Sequence, residues 1–541
     1  MFSIDQNCHS LWDALPKLQA LAGRGHRVTH FLEDVDVAFT AVGAGLAGAG
    51  LQLARERFHR SGGADWGAAL FYSDFLGRLP VDVRDWEPFT GVKTAVLAKQ
   101  LGRTVDDLFD EFSPGDNWQL IGPSYVGDRA HHRVIGDLSV AETGGFCRQI
   151  FQMAADNMRQ TFPQADSQRR LDEWLGKEQH LLESLLIRHA DGRLVDLYRT
   201  WLGQYLGETV RLDATFNLLA TGADPRRTAL LEVFLADYDL SAGLYNQAVE
   251  STGVKLRPLR TGEGELPFFA VLHHQGHLVR TGVFLRDGRL VIGQRDFRLG
   301  GGGRIAVDEL TSAGVHCLAG KAALLTIQVR LRPGGAPLAV PYRGSAYMPA
   351  SHRLAESLGR HGLLPGELHP ITRVRFRLLE RLRSLTTTIR LPQHLAGYFS
   401  GREIPAGELA DAHADVAEAA DRRLESIKDP AGRKNWQEQN FPELTEELSE
   451  LDKRRRKLAE TDPKSSEIRD LWKRVKTGNT ELLDRTVRQI DRDLQARQID
   501  YWDSRGALLP WSIALGGQGF YNELIAKAEI YEEPPRSCRN A

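Results

Sequence analysis

The stretch VDVAFTAVGAGLAGAGLQLARERFHR, residues 35–60, decides the class of the N-terminal part of the chain. Its first residues are typical of a β-strand and its last residues of a helix, and Gly43, Gly45 and Gly48 between them form the pattern G-x-G-x-x-G. Such glycines let a backbone approach a pyrophosphate at the N-terminus of the following helix. The same pattern also suits a tight strand-to-helix turn in any α/β fold. The stretch therefore predicts a strand–turn–helix unit and leaves open whether it faces a phosphate.

The residues that follow continue the alternation of strands and helices. AALFYSDF (68–75) predicts a second strand, and Asp74 at its end stands where dinucleotide-binding folds place an acidic residue on the ribose hydroxyls. KTAVLAKQLG (93–102) predicts a helix, and Thr104 is placed to cap the next one. This order predicts a Rossmann-like α/β domain with a parallel sheet over residues 1–145.

Residues 146–406 are predicted to form a helical region, then a β-meander, then a second α/β core. Apolar residues in the first part recur at spacings of three and four, which indicates amphipathic helices. LPFFAVLHHQGHLVRTGVFLRDGRLVIG (266–293) changes to alternating apolar runs, interrupted at QG (275–276) and DG (287–288). Because such dipeptides favour two-residue hairpin turns, this stretch predicts an antiparallel meander.

Residues 407–503 are predicted to form an antiparallel coiled-coil hairpin, and residues 504–541 a segment that packs back on the core. The chain reverses near Asp462 and Pro463, which we expect to start the second helix as its cap and first residue. Apolar residues at heptad spacing predict the seam between the arms. They are Leu444, Leu448, Leu451 and Leu458 in the first arm, and Ile468, Leu471, Val475 and Leu482 in the second.

The hairpin also predicts self-association. The flank of its apolar seam, together with Trp472 and Trp502, would leave apolar surface on or near the second arm. Apolar patches commonly mark association sites, and two-fold dimers are the commonest closed oligomers. We therefore expect a homodimer through residues 440–500.

Composition excludes several classes of partner. A net charge of −2 gives no overall attraction to nucleic acid or anionic membranes, and the basic run at 453–457 is expected to be a solvated helix face. The four cysteines have neither metal-site nor disulfide spacing, and no apolar run is long enough for a membrane span. Two of the three histidines His273, His274 and His277 flank a predicted turn, and alternating side chains are expected to point them to different faces. We expect a cytoplasmic protein that binds no metal, nucleic acid or membrane.

Three segments resemble the bacillithiol cysteine-adding enzyme (BshC) family, and the order of parts is similar over nearly the whole chain. The segments are AFTAVGAGLAGAGLQLARERF (38–58), AALFYSDF (68–75) and ALLTIQVRLRPGGAPLAVPYRGSAY (323–347). In the third segment the family has an arginine-bearing strand, a glycine turn and a tyrosine. The resemblance implies a ligase that joins an amino acid to a small amine-bearing acceptor. It also implies a nucleotide-associated pocket at the carboxyl ends of parallel strands, and a dimer built through the coiled coil.

The resemblance also implies roles for particular residues. The glycines of the first segment would face the ligand, the aspartate of the second would bind a hydroxyl or amine, and an arginine of the third would hold an anionic group. The residues implied in cofactor or substrate binding are Gly43, Gly45, Gly48, Asp74, Arg330, Arg343 and Tyr347. An adenine nucleotide is a possible cofactor on this basis.

Two other functions remain open at the level of sequence. The glycine pattern also fits an NAD(P)-dependent oxidoreductase, and the hairpin fits a non-catalytic coiled-coil assembly protein. Binding of ATP or ADP would favour the ligase-like function, binding of NAD or NADP the oxidoreductase, and binding of none of them the assembly protein.

Overall fold

The computed structural model describes residues 1–4, 12, 14–32, 83–105, 107–108, 132–220, 222, 224, 226–254, 256–342, 347–504 and 508–533. The strands in these ranges, in chain order, are β1 (Phe2–Ile4), β2 (Val28–Leu32), β3 (His132–Arg133), β4 (Val210–Ala214), β5 (Glu265–His274), β6 (His277–Arg286), β7 (Arg289–Ile292), β8 (Arg295–Arg298), β9 (Val315–Gly320), β10 (Leu338–Pro341), β11 (Ile371–Arg375), β12 (Thr388–Arg390), β13 (Glu403–Pro405) and β14 (Glu529–Glu533).

The helices are α1 (Leu15–Gly23), α2 (Glu87–Thr90), α3 (Thr94–Gln100), α4 (Val140–Thr161), α5 (Ala165–Arg188), α6 (Leu194–Gly203), α7 (Thr215–Leu218), α8 (Arg226–Ala236), α9 (Tyr238–Thr252), α10 (Val307–Ser312), α11 (Ala322–Gln328), α12 (Met348–Arg360), α13 (Leu378–Arg381), α14 (Gln393–Ala396), α15 (Ala406–Lys428), α16 (Pro430–Asn440), α17 (Pro442–Thr461), α18 (Glu467–Ala496) and α19 (Leu508–Ala526). The chain is therefore mixed α/β, as predicted.

A parallel sheet brings together distant parts of the chain. Its strand order is β14-β11-β10-β1-β2-β4, with β14 antiparallel to β11 and the other neighbours parallel. The sheet thus spans the chain from residue 2 to residue 533, and the predicted domain boundaries stay predictions. The predicted strands at 35–42 and 68–75, and the glycine turn, lie outside the described residues.

One prediction about the third resemblance segment is wrong. Its first part, expected as an arginine-bearing strand, is the helix Ala322–Gln328, followed by a turn that holds Arg330. The helix buries both Leu324 and Leu325, so it is apolar on more than one side, and a short apolar run of this kind fits strand and helix equally. The strand of this segment is β10, which starts at Leu338.

A second sheet is antiparallel, with the order β8-β7-β6-β5-β9 and with β3 added against β6. The predicted meander is confirmed, and each predicted dipeptide forms a two-residue turn between strands. Gln275, Gly276, Asp287 and Gly288 all have positive φ, between 49° and 82°. These are the conformations that a type I′ hairpin turn requires, so local turn chemistry sets the register of the meander.

The two sheets pack face to face through a shared apolar cluster. Val271 and Cys317 of the antiparallel sheet belong to the same cluster as Phe31, Leu338 and Val340 of the parallel sheet. The opposite face of the antiparallel sheet packs with α8, α9 and α12, and the opposite face of the parallel sheet packs with α1, α4–α6 and α19. The parallel sheet is therefore covered on both faces, as expected for its buried strands.

Helices α17 and α18 form the predicted hairpin and run antiparallel. Arg474 pairs with Glu447 at 3.0 Å, and nearer the tip Arg454 pairs with Glu467. A Cβ atom at Gly478 would lie 2.5 Å from Leu448 Cδ2, so the glycine permits a close approach of the arms.

The predicted cap of the second arm is wrong. Asp462 ends α17, donating its N–H to Leu458 O at 2.8 Å, and α18 begins only at Glu467. The intervening residues reverse the chain, with Ser465 donating its N–H to Asp462 O at 3.1 Å. By contrast, the predicted Thr104 cap is confirmed, because its Oγ1 accepts the Asp107 N–H at 3.0 Å.

Candidate functional site

Among the strands that the structure describes, the order of the parallel sheet reverses between β1 and β10. The strands that follow β1 in the chain, β2 and β4, extend the sheet to one side, whereas β10, β11 and β14 extend it to the other. In open parallel α/β sheets, ligands bind in the crevice outside the carboxyl ends of the strands at such a point. We call the residues at and just after the carboxyl ends of β10 and β11 the carboxyl edge. Its described members include Tyr342, Arg373 and Arg375.

Arg373 fixes the geometry of this edge. Its Nη1 donates to Pro341 O at 3.1 Å and its Nε to Glu533 Oε1 at 2.9 Å. The guanidinium is buried and so joins the end of β10 to the edge strand β14. Because these contacts engage it on several sides, Arg373 acts as a structural clamp.

Arg375 is placed differently, although it stands on the same face of β11. Its Cζ lies 4.4 Å from the centroid of the Tyr342 ring, a cation–π arrangement. Its nearest carboxylate in the described part of the chain is Glu380, with Nη2 and Oε1 3.7 Å apart. About a quarter of the side chain is exposed, and Nε makes no hydrogen bond within the described ranges. Arg375 is therefore the cation of the carboxyl edge that an anionic ligand could reach.

The structure separates the site residues that the resemblance implied. Tyr347 comes just before α12, on the carboxyl side of β10. Arg330 lies on the amino side of β11, where its Nε donates to His369 O at 2.6 Å and burial lowers its pKa to about 10. Arg330 and Tyr347 thus stand beyond opposite ends of the parallel strands. Gly43, Gly45, Gly48, Asp74 and Arg343 lie outside the described residues.

The antiparallel sheet contributes a second group of cations on the face toward the parallel sheet. Arg280 Cζ lies 3.9 Å and Lys321 Nζ lies 4.8 Å from the centroid of the Phe269 ring. Arg280 is almost completely buried and opposes Val271, which belongs to the cluster between the sheets. Two cations therefore flank one aromatic ring beside the core that joins the sheets.

A buried carboxylate anchors this group. Glu265 is fully buried, and its Oε1 accepts a hydrogen bond from Lys321 Nζ at 3.0 Å. Its Oε2 accepts from Arg257 Nη1 and from the backbone N–H of Arg260, each at 2.9 Å. Three cationic side chains surround this carboxylate, and their hydrogen bonds hold it in one orientation.

An open groove of about 970 Å³ lies farther along the antiparallel sheet. Tyr238, Phe284, Arg286 and Gln294 are among its lining residues. The Tyr238 hydroxyl donates to Glu265 O at 2.9 Å, and burial raises its pKa to about 12, so this hydroxyl stays protonated. The groove is polar, and neither Arg330 nor Tyr347, the two predicted site residues that the structure describes, lines it.

The histidines near the first hairpin turn have separate surroundings. His277 Nδ1 lies 2.9 Å from Asp137 Oδ2, while His273 faces His316 with ring centroids 6.3 Å apart. Burial, with a smaller contribution from His273, lowers the pKa of His316. Among the residues that the structure describes, no group of three or more His, Cys, Asp or Glu is arranged to hold a metal ion.

Sequence reasoning missed the cations that the structure places at the carboxyl edge. In ITRVR (371–375) the arginines alternate with Thr372 and Val374, so a strand must put both on one face. This period-two pattern was the available signal. The pattern could not predict that β11 pairs in parallel with β10, because the paired residues lie more than 30 positions apart in the chain.

No family model, curated protein or solved structure matches the chain. In the part of the chain that the structure describes, every helix is too short or too polar to cross a membrane. The functional assignment therefore rests on the chemistry of the carboxyl edge.

Proposed function

We propose that this protein is a small-molecule biosynthetic enzyme, resembling an amino-acid-adding ligase, with an anion site at the carboxyl edge. The observation that carries the proposal is the position of Arg375 and Tyr342 beside the reversal of strand order. In Rossmann-like sheets this crevice holds nucleotides and other phosphate-bearing ligands. A guanidinium stacked on an aromatic ring keeps a fixed plane, which suits the recognition of a phosphate or carboxylate. We propose an adenine nucleotide as the anion.

The strand order β4-β2-β1-β10-β11-β14 supports a Rossmann-like assignment, because it follows the 3-2-1-4-5-6 order of dinucleotide-binding sheets. In those sheets the glycine pattern occupies the first strand-to-helix connection. Here that connection, residues 5–14, reads DQNCHSLWDA and contains no glycine. The G-x-G-x-x-G pattern comes only after β2. This placement favours the ligase-like function over the NAD(P)-dependent oxidoreductase.

The proposal is tested by equilibrium dialysis of the intact protein with ATP, ADP, NAD and NADP. We expect ATP or ADP to bind, and Arg375→Gln to weaken that binding about tenfold or more, the loss of one charge-assisted contact. Arg390→Gln is the matched control, since Arg390 pairs with the surface carboxylate of Glu403 at 2.6 Å. Binding of NAD or NADP alone would favour the oxidoreductase, and binding of none of the four would favour the assembly protein.

We further propose that the hairpin is a coiled coil through which the protein forms a homodimer. Leu448, Leu451 and Leu471 of the heptad pattern are buried between the arms, whereas Trp472 is half exposed on the second arm. Its ring lies 5.4 Å from Lys476 Nζ, so the exposed surface combines an aromatic ring with a cation. A second copy of the hairpin is the partner that we propose for this surface.

A further inference from the structure

Asp503 is a buried carboxylate at the base of the hairpin. It lies in the 3₁₀ turn Ile499–Ser504, which follows α18 directly. The side chain is fully buried, and its Oδ1 accepts a hydrogen bond from the N–H of Leu379 at 2.8 Å. Its Oδ2 is buried and makes no hydrogen bond within the described ranges. A segment after the hairpin thus reaches the start of α13.

The turn that Asp503 contacts follows Arg375 immediately. Within this turn Arg377 has φ of +53°, a left-handed conformation that L-residues other than glycine rarely adopt. Its side chain does not cap α13, and the Asp503 carboxylate accepts an N–H at the start of that helix instead. Arg377 Nε also donates to Glu529 Oε1 at 2.5 Å. Two carboxylates from the C-terminal part of the chain therefore hold a strained turn.

Charged and titratable groups face Asp503 from three elements. Arg375 from β11 and His413 from α15 attract its ionised form, and Asp500 from its own turn repels it. His413 Nδ1 lies 2.9 Å from Ala410 O within its own helix, which fixes the orientation of its ring. Asp503 therefore acts on Arg375 in two ways, through the turn that follows Arg375 and through direct attraction.

We propose that Asp503 is a positioning residue for the anion site, which it serves by holding the β11–α13 turn so that Arg375 stays stacked on Tyr342. This inference rests on the proposed function, since it concerns the same arginine. It assigns a role to the base of the hairpin, because α18 leads directly into the turn that carries Asp503. A displacement of the hairpin would thereby change the position of the cation that binds the ligand.

The affinity for ADP should depend on the protonation of Asp503. Burial raises the pKa of Asp503 to about 6, so the carboxylate is ionised at pH 7.5 and protonated at pH 5. Asp503→Asn imitates the protonated state at every pH. The ratio of the ADP dissociation constants of variant and wild type is expected to be about ten at pH 7.5 and to approach one at pH 5. Taking the ratio at each pH cancels the titration of ADP itself.

The experiment measures ADP binding from pH 5 to pH 8 for wild type, Asp503→Asn and the control Asp493→Asn. Asp493 is also fully buried near the end of α18, but it pairs with Arg423 at 2.8 Å, away from the turn. A ratio that does not change with pH would mean a purely structural role and would overturn the proposal, as would equal affinities at pH 7.5. Asp493→Asn is expected to bind ADP with the wild-type affinity at both ends of this pH range.

A second measurement separates this inference from the proposed function. Hydrogen exchange of peptides covering 371–381 is expected to be faster in Asp503→Asn than in wild type, even without ligand, because the Leu379 N–H loses its charged acceptor. If the wild type binds no ADP, the proposed function fails. If the exchange rate of these peptides in Asp503→Asn equals that in wild type, the positioning role of Asp503 is overturned. Should Asp503→Asn fail to fold, Glu529→Gln tests the same turn, since Glu529 binds Arg377. This variant is expected to fold because the Glu529 side chain is nearly half exposed. We expect faster exchange in that variant also, and an unchanged rate there would overturn the inference.

Discussion

Replacing Glu265 with Gln should strongly destabilise the antiparallel sheet. The carboxylate is fully buried and is surrounded by Arg257, Arg260 and Lys321. Removing one partner of a buried ion pair costs about 3–5 kcal/mol, because the remaining charge stays buried. Lys321 is largely buried, whereas Arg257 and Arg260 are partly exposed and can be hydrated once the carboxylate is gone. We therefore expect a loss at the lower end, about 3 kcal/mol of the free energy of unfolding.

The assay is urea unfolding followed by far-ultraviolet circular dichroism. Glu403→Gln is the matched control, because its partner Arg390 is a surface residue and exposed pairs contribute at most about 1 kcal/mol. If the buried carboxylate stabilises the sheet in this way, the free energy of unfolding should fall by about 2 kcal/mol more in Glu265→Gln than in the control. Equal losses would refute the view that Glu265 anchors the cations beside Phe269.

Three further predictions concern pH, the glycine pattern and assembly. Burial raises the pKa of Glu178 above its ordinary value of 4.5, so the folded state keeps this proton to a higher pH than the unfolded state and stability falls as the pH rises. Glu178→Gln should therefore show a smaller fall in melting temperature from pH 5 to 7 than the wild type. Parallel plots of melting temperature against pH for the two proteins would contradict this. Gly45→Val should abolish nucleotide binding while the protein stays folded, and normal binding by this variant would mean that the glycine pattern only forms a turn. Asp74→Ala should weaken nucleotide binding by about 1–3 kcal/mol, and an unchanged dissociation constant would remove Asp74 from the site. Equilibrium dialysis measures both. Replacing residues 440–500 with a Gly-Ser linker should convert a dimer into a monomer by light scattering, and a dimer that survives would place the interface elsewhere.

Features with a local cause could be predicted from the sequence. The meander followed from Gln275-Gly276 and Asp287-Gly288, whose residues adopt the positive φ angles that a two-residue turn needs. The two arms of the hairpin followed from the spacing of their leucines. In each case the signal and the structure lie within a few residues of each other.

Features with a long-range cause could not be predicted. β1 is only three residues long, and its residues pair with residues of β2 and β10 that come 27 and 336 positions later in the chain. No periodicity in so short a strand indicates its partners. The carboxyl edge depends on this pairing, so Arg373 and Arg375 could be assigned to one face of a strand but not to a crevice. The prediction that Asp462 caps the second helix was wrong because Asp462 ends the first helix, and the residues between it and Glu467 reverse the chain.

The central claim, that the ligand binds at the carboxyl edge, is tested most directly by hydrogen exchange of the intact protein with and without saturating ADP. We predict that protection concentrates in peptides covering 338–342 and 371–381, the ends of β10 and β11 and the turn that follows Arg375. At an ADP concentration that half-saturates the wild type, Arg375→Gln should show little of that protection, because its affinity is expected to be about tenfold lower. Protection confined to the groove at residues 281–294, or to the hairpin at 442–496, would place the ligand elsewhere and contradict the account.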